Sequence, residues 1–161
     1  MLIEIIITTI LRGIPEAFIH MYAMFALANV KIDKKKYTLS SFVLAFLMVL
    51  ISYLPISYGI HSILVVMVII GLGVMVNQFD TVYCISVAII NMIIQFLTEG
   101  INVLLIEKVL KMDLAKAMSN PLGKSIYGIP SLIMFFGIIF IAHRVIRKRR
   151  GKQNDQYTKF M

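Results

Sequence analysis

Five apolar segments, separated by short polar stretches, make up most of this chain. They cover about residues 2–30, 39–53, 62–76, 81–105 and 125–145. The first is longer than the roughly 20 residues that a helix needs to cross a bilayer. The pattern predicts an all-α, polytopic integral membrane protein with about five transmembrane helices.

Two features break the regular pattern. In the first segment, Gly13 and Pro15 interrupt the apolar run, and proline leaves the carbonyl four residues earlier without its helical hydrogen bond. We therefore expect a kink, or a short tilted piece, at that point. After the fourth segment, lysines alternate with apolar residues over about 107–124. This alternation indicates an amphipathic segment at the membrane interface.

Composition agrees with a single membrane-embedded domain. Hydrophobic residues make up 60% of the chain and charged residues 15%, with no long hydrophilic block. We expect one transmembrane helical domain over residues 1–147 and a basic, disordered cytoplasmic tail over 148–161. The lone Cys84 excludes an intramolecular disulfide. The first segment lacks a basic leading region, so we expect it to be retained rather than cleaved.

The positive charges predict an orientation. The formal net charge is +8, but the basic residues lie at segment ends, which favours anionic lipid headgroups over nucleic acid. Four lysines lie in the loop 31–36 and seven basic residues follow from Arg144, on one side of a five-span topology; the other side has four lysines. The positive-inside rule then predicts a multi-pass cell-membrane protein with its N-terminus outside and its C-terminus in the cytoplasm.

A polar stripe lies inside the first apolar segment. Arg12, Glu16 and His20 are spaced four residues apart, which places them on one face of a helix. A charge inside a membrane costs roughly 2.5–3.5 kcal/mol on insertion scales, so such residues normally face protein or water. Another part of the chain should therefore supply polar partners.

The fourth segment carries a matching stripe, Asn91, Gln95 and Glu99, with the same spacing. Segments one and four are antiparallel in a five-span topology. The spacing then predicts three contacts, which are Arg12–Glu99, Glu16–Gln95 and His20–Asn91. The stripes could serve as polar contacts that fix helix packing, or they could line a cavity that faces the outer half of the membrane. Both interpretations stay open here.

Other candidate residues lie at the two ends of the bundle. Tyr58 and His61 fall in the turn expected at the outer mouth of the polar stripes. In the tail, a basic cluster suits contact with a protein partner or with headgroups; it consists of Arg147, Lys148, Arg149 and Arg150. The sequence has no metal-ligand spacing, nucleotide-binding loop or serine nucleophile motif. We therefore expect no metal, no cofactor and no enzymatic activity.

Several short motifs resemble a known family. They are Ile14-Pro15-Glu16-Ala17, the stretch 54–61, Glu99 and Asn120-Pro121. Together they resemble the membrane-spanning input region of accessory-gene-regulator-like sensor histidine kinases of Gram-positive bacteria, which carry a GHKL-type ATPase domain and often detect secreted peptides. Only eleven residues follow Arg150, so we expect no kinase domain. The resemblance implies a stand-alone relative of the sensor region that needs a partner for output.

These features predict a non-enzymatic membrane receptor or accessory sensor module. It would bind a small ligand or peptide at the polar stripes and signal to a cytoplasmic or membrane partner. One alternative is the substrate-binding subunit of a multi-component vitamin-type importer, although such subunits usually have six spans. A second alternative is a structural membrane scaffold. Self-association into a homo-oligomer is left open.

Overall fold

The computed structural model describes residues 9–28, 30–55, 58–111 and 121–158, without the side chains of residues 9, 28, 58, 121, 124 and 150–158. Within these ranges all regular structure is helical. The five α-helices are α1 (Ile14–Ala28), α2 (Lys34–Ser52), α3 (Tyr58–Met75), α4 (Thr81–Leu104) and α5 (Pro121–Thr158). A π-helical turn, Thr9–Gly13, leads into α1, and a second, Leu105–Val109, follows α4.

Three stretches of the described chain are long and apolar enough to cross a membrane. They are Lys34–Ser52, Thr81–Val109 and Ser125–Arg149. The apolar stretch Gly59–Met75 is shorter. The prediction of an all-helical membrane protein is therefore confirmed at the level of helix content and of three helices suited to a bilayer.

The helices begin earlier than the apolar pattern predicts. The α2 helix starts at Lys34 rather than near residue 39, because the Asp33 carboxylate accepts hydrogen bonds from the backbone amides of Lys35 and Lys36 at 3.0 and 3.4 Å. Such a cap satisfies amides that have no partner within the helix. Three of the lysines expected in a loop therefore belong to the first turn of α2. Likewise, α3 begins at Tyr58, four residues before the expected start.

The expected interruption of the first segment takes the form of the π-helical turn. Arg12 and Gly13 lie in this turn, whereas Pro15 is the second residue of α1. The turn runs directly into α1, so the amide that Pro15 lacks would have faced a carbonyl of that turn, and the proline and the wider turn occur together. Arg12 lies within this wider turn.

The α1 helix is the central element of the bundle. It packs against α2, α4 and α5, while α3 packs against α2 and α4. The main apolar core joins α1 to three helices, through Met21, Met24, Leu44, Ile69 and Cys84. A smaller core lies between α1 and α5, where Ala23 and Ala26 contact Phe135 and Ile139. Because α1 is enclosed on several sides, any polar group on it must find a partner inside the protein.

The ends of α4 and α5 differ from expectation. Residues 105–109 form a π-helical turn, and half of the predicted interfacial segment, residues 112–120, lies outside the described part of the chain. The α5 backbone continues to Thr158, past residue 148, where we expected a disordered tail. Arginine and lysine are good helix formers, so the basic composition of this stretch does not end the helix.

Candidate functional site: a polar seam and its cavity

The polar stripes of α1 and α4 meet along one line, which we call the polar seam (Arg12, Glu16, His20, Asn91, Gln95 and Glu99). Arg12 Nη2 donates to Glu99 Oε1 at 2.9 Å. One turn further along, Gln95 Nε2 donates to Glu16 Oε1 at 2.6 Å. All three contacts that the spacing predicts are present, the third being that of His20 with Asn91.

Arg12 forms ion pairs with two carboxylates. Besides Glu99, its Nε lies 3.5 Å from Glu16 Oε2. The side chains of Arg12 and Glu99 are 25% and 21% exposed, so water screens the pair only in part. Removal of one partner of such a pair is destabilising, because it leaves the other charge poorly solvated. The arginine therefore links the π-helical turn, α1 and α4.

His20 is the most deeply buried titratable member of the seam, at 2% exposure. Asn91 Nδ2 lies 2.8 Å from His20 Nδ1. With the amide donating, Nδ1 accepts, and the hydrogen of the neutral ring is on Nε2. Nε2 is closed off from solvent and lies 4.0 Å from Glu16 Oε1. His20 therefore interacts with the α4 stripe through both Asn91 and Gln95.

The α5 helix closes one side of the seam, which the sequence did not reveal. A Cβ atom at Gly128 would lie 2.5 Å from Arg12 Nη1, so the guanidinium packs directly on the α5 backbone. Next to it, Asn102 Nδ2 donates to the carbonyl of Tyr127 at 2.7 Å. Glycines are scattered through the chain, and nothing in their spacing marks Gly128 as the one beside the arginine.

A cavity of about 560 Å³ lies beside the seam. One wall is polar and includes Arg12, Glu16, His20, Gln95 and Glu99. Most of the remaining lining is apolar and comes from α2, α3 and α4, through Met48, Val65, Val66, Ile69, Ala88, Met92 and Phe96. Ser52, Leu54, His61, Ser62 and Ser125 complete the lining. Cavities of roughly 300–1,000 Å³ with a mainly apolar lining and a few polar groups are typical of small-molecule sites.

The other predicted site residues fall at the two ends of the bundle. His61 lines the cavity, and its place at an outer mouth stays a prediction. Tyr58 begins α3, but its side chain lies outside the described part of the chain, as does that of Arg150. Arg147, Lys148 and Arg149 are exposed on α5. They lie roughly 33 Å along that helix from Ser125 in the cavity wall, at a rise of about 1.5 Å per residue. Among the described residues, no group of three or more histidine, cysteine, aspartate or glutamate side chains could hold a metal ion.

Comparisons with known proteins leave the site to be interpreted from its own geometry. No protein-family model matches the sequence, and neither a curated protein nor a solved structure matches it. The resemblance to sensor-kinase input regions therefore stays a prediction from the short motifs.

Proposed function

We propose that this chain is a non-enzymatic membrane receptor or accessory sensor module, which binds a small ligand or peptide in the cavity beside the polar seam. The observation that carries the proposal is the cavity itself. Its size suits a small molecule, and it combines an apolar wall with charged and amide side chains on the facing helices. The motif Ile14–Ala17, part of the resemblance to kinase input regions, begins α1 at this cavity.

Interhelical hydrogen bonds such as those of the seam stabilise membrane bundles on their own. A binding role is favoured by the position of these side chains, because five of the six seam residues also line the cavity, where a bound molecule could contact them: Arg12, Glu16, His20, Gln95 and Glu99.

The proposed topology places all five helices across the membrane. The turn Thr9–Gly13 and α1 together supply 5 and 15 residues, which matches the roughly 20 residues of a span. With the N-terminus outside, the cavity faces outward, because Arg12, His61 and Ser125 lie at the outer ends of their helices. The basic end of α5 then faces the cytoplasm, in agreement with the positive-inside rule.

A route for the signal runs along α1. Each of three neighbouring helices donates one side-chain hydrogen bond to a backbone carbonyl of α1. Tyr37 of α2 donates to the carbonyl of Phe18 at 3.1 Å, and Tyr83 of α4 donates to that of Met24 at 2.8 Å. His143 of α5 donates to the carbonyl of Ala26 at 3.0 Å. A shift of α1 at the seam would therefore reach the basic end of α5. There, Arg147, Lys148 and Arg149 would contact the partner that produces the output.

The test is gentle purification from the native membrane, followed by mass spectrometry of bound small molecules and co-purifying chains. Val66→Phe should fill the cavity and remove the bound molecule, because Val66 lines it. Met67→Phe is the matched control, because Met67 is the next residue of α3 and is 62% exposed. We expect the control to retain the molecule.

The co-purifying chain distinguishes the alternatives. We expect a regulatory or kinase-like chain to co-purify with the unmodified protein. Reversal of the charges at residues 147–149 should abolish this co-purification. An ATPase-coupled membrane subunit with a vitamin-like molecule would favour an importer. If Val66→Phe retains the same molecules as Met67→Phe, the cavity is not the binding site and the proposal fails.

A further inference from the structure

We propose that a groove between α2 and α5, on the side of α1 turned away from the polar seam, binds an anionic phospholipid. The proposal goes beyond the proposed function and does not depend on the cavity. Three observations carry it: an uncovered strip of α1, aromatic walls on the two neighbouring helices, and a basic rim at one end of the groove.

The floor of the groove is a strip of α1 and of the turn before it. Both α2 and α5 pack against α1, but they are not in extended contact with each other, so the ring of helices around α1 is open between them. The strip consists of Leu11, Pro15, Phe18 and Tyr22. Their spacing places them on one helical face, and each is exposed or only half-buried among the described residues.

Aromatic side chains form the two walls. On the α2 side, the exposed ring of Phe42 lies edge-on to that of Phe18, with the ring centroids 5.4 Å apart. On the α5 side, the centroid of Phe136 is 5.8 Å from that of Tyr22, and Phe136 stacks on Phe140 at 6.0 Å. Acyl chains can lie along such walls, but exposed apolar surface in a bilayer does not distinguish one lipid from another. Selectivity must come from the polar end of the groove.

That end carries a basic rim, which consists of Lys35 and Arg144. Arg144 lies one turn beyond Phe140, and its guanidinium is 4.9 Å from the ring centroid, a cation–π contact that holds the charge at the end of the α5 wall. Lys35 is exposed seven residues before Phe42, about two turns along the same face of α2. Each wall therefore ends in a positive charge.

The two basic residues lie at the same depth, beside the last turns of α1. On α5, the imidazole of the residue before Arg144 contacts the carbonyl of Ala26 at 3.0 Å. On α2, the ring of Tyr37, two residues after Lys35, lies edge-on to that of Phe25. An apolar groove that ends between two cations suits a lipid whose tails lie in the groove and whose headgroup lies at the rim.

The charge of this end of the bundle selects the headgroup. Basic residues lie at positions 31, 34–36, 144 and 147–149, whereas the described carboxylates there are those of Asp33 and Asp80. An anionic headgroup is attracted by this surface, whereas a zwitterionic one brings a cation of its own toward it. An apolar helix from another chain would cover the walls but leave the rim without a counter-charge. An anionic phospholipid satisfies both parts of the groove.

The experiment uses the full chain in nanodiscs made from equal parts of phosphatidylglycerol and phosphatidylcholine with identical acyl chains. After transfer to a mild detergent, native mass spectrometry counts the phospholipids that remain bound. We expect phosphatidylglycerol to be retained at least about tenfold over phosphatidylcholine, a difference of about 1.4 kcal/mol.

Lys35→Gln combined with Arg144→Gln should reduce this preference to less than about threefold, because each basic side chain near the headgroups adds to the attraction. The control combines Lys108→Gln with Arg149→Gln, which removes the same charge from other exposed positions. Lys108 lies in the turn after α4, and Arg149 is turned about 140° around α5 from Arg144. We expect the control to keep the preference.

A second measurement locates the lipid on the unmodified chain, so it needs no variant. Phosphatidylglycerol with a photoreactive diazirine on one acyl chain is irradiated in the nanodisc, and the adducts are mapped by mass spectrometry. We expect adducts concentrated at Phe18, Phe42 and Phe136, with fewer at Met67 of α3, which is 62% exposed. Excess glycerol phosphate, a headgroup without tails, should not remove them.

The opposite results would overturn the proposal. Equal retention of the two lipids, or an equal loss of preference in the rim and control variants, would mean that the rim does not select a headgroup. Adducts spread evenly over the exposed residues of all helices would indicate general bilayer contact only. Displacement by glycerol phosphate, or chain-to-chain crosslinks in place of lipid adducts, would assign the groove to a soluble anion or to a second copy. None of these results bears on the cavity, so the proposed function stands or fails separately.

Discussion

At the scale of single residues, Arg12 joins more parts of the molecule than any other seam side chain. Its guanidinium contacts a carboxylate one turn along α1, a second on α4, and the backbone of α5 at Gly128. The first two contacts supply charge and the third supplies a close steric boundary. Arg12 is therefore held in one position, so substitutions at Glu99 and Gly128 should change the free energy of unfolding through their contacts with it.

We predict non-additive effects on stability at Arg12 and Glu99. Arg12→Gln removes the guanidinium from both Glu16 and Glu99, and Glu99→Gln removes one of the two carboxylates beside Arg12, so each should destabilise the chain. The double variant should be more stable than the sum predicts, with a coupling of about 1 kcal/mol or more. Unfolding in mixed micelles with increasing dodecyl sulfate measures the free energies. A charge swap should rescue less, because Glu at position 12 would lie beside Glu16.

Glu99→Gln combined with Lys36→Gln serves as the control for this cycle. Lys36 donates to Gln78 at the opposite end of the bundle, so its effect should add to that of Glu99 within about 0.5 kcal/mol. Additive effects in the Arg12 and Glu99 pair as well would mean that their 2.9 Å contact does not stabilise the protein.

We also predict that Gly128→Ala disrupts the seam whereas Gly137→Ala does not. The new methyl group at 128 would lie 2.5 Å from Arg12 Nη1 and would displace a guanidinium held by two carboxylates. The expected cost is about 1–3 kcal/mol, as for other overpacked sites. At Gly137, on the same helix, no described atom lies within 4 Å of such a group. Alanine there should be neutral, or stabilising by up to about 1 kcal/mol.

The same unfolding measurement, repeated in the Arg12→Gln background, identifies the cause. A shorter side chain should leave room for the methyl group, so the cost of Gly128→Ala should fall. An unchanged cost would assign the effect of this glycine to the α5 backbone rather than to the arginine.

At the scale of helices, close contact between α3 and α4 depends on Gly73. A Cβ atom there would lie 2.7 Å from Cys84 Sγ and 2.9 Å from Met24 Cε. The two helices, together with α1, therefore approach each other so closely that a Cβ atom at position 73 would have to displace the side chains of Cys84 and Met24. Small residues at such points are typical of packed membrane helices.

We predict that Gly73→Ala destabilises the chain by about 1–3 kcal/mol. Gly71→Ala, two residues earlier on α3, should change stability little, because nothing described lies within 4 Å of its added carbon. Cys84→Ala should restore part of the loss in the Gly73 variant, because it removes the nearest sulfur. Thermal unfolding of the detergent-solubilised chains can test all three. Equal effects at 71 and 73 would contradict the close approach.

The sequence could predict those features that depend on local spacing. The order of five apolar helices follows from the apolar segments, and the three seam contacts follow from two stripes with the same four-residue period on antiparallel helices. The early start of α2 was missed because the apolar pattern does not register a cap such as Asp33. The contact of Gly128 with Arg12 and the volume of the cavity depend on the distances between packed helices. The spacing of residues along the sequence does not determine those interhelical distances.

At the scale of the whole molecule, charge and polarity divide the bundle into two ends. The cavity and the seam lie toward one end, where α2 finishes and α3 begins. Most of the described exposed basic residues lie toward the other end, at the start of α2 and late in α5, whereas Lys108 and Lys111 are exposed beyond α4 at the cavity end. α5, with 38 residues, has a length of roughly 57 Å, well beyond the roughly 30 Å of a hydrocarbon core. Its basic part can therefore project from the membrane while Ser125 remains at the cavity.

This division predicts the orientation, and two positions at opposite ends of α2 can test it. Tyr53 is 60% exposed beside the cavity end, and Lys35 is exposed in the first turn of the helix. About 27 Å of helix rise separates them. In a Cys84→Ala background, an impermeant maleimide added to intact cells should label Tyr53→Cys, whereas Lys35→Cys should react only after lysis. The positive-inside rule is the physical reason, because the lysines around position 35 resist transfer across the membrane. Labelling of Lys35→Cys in intact cells, with Tyr53→Cys protected, would reverse the topology and place the cavity on the cytoplasmic side, where it would sample intracellular rather than external molecules.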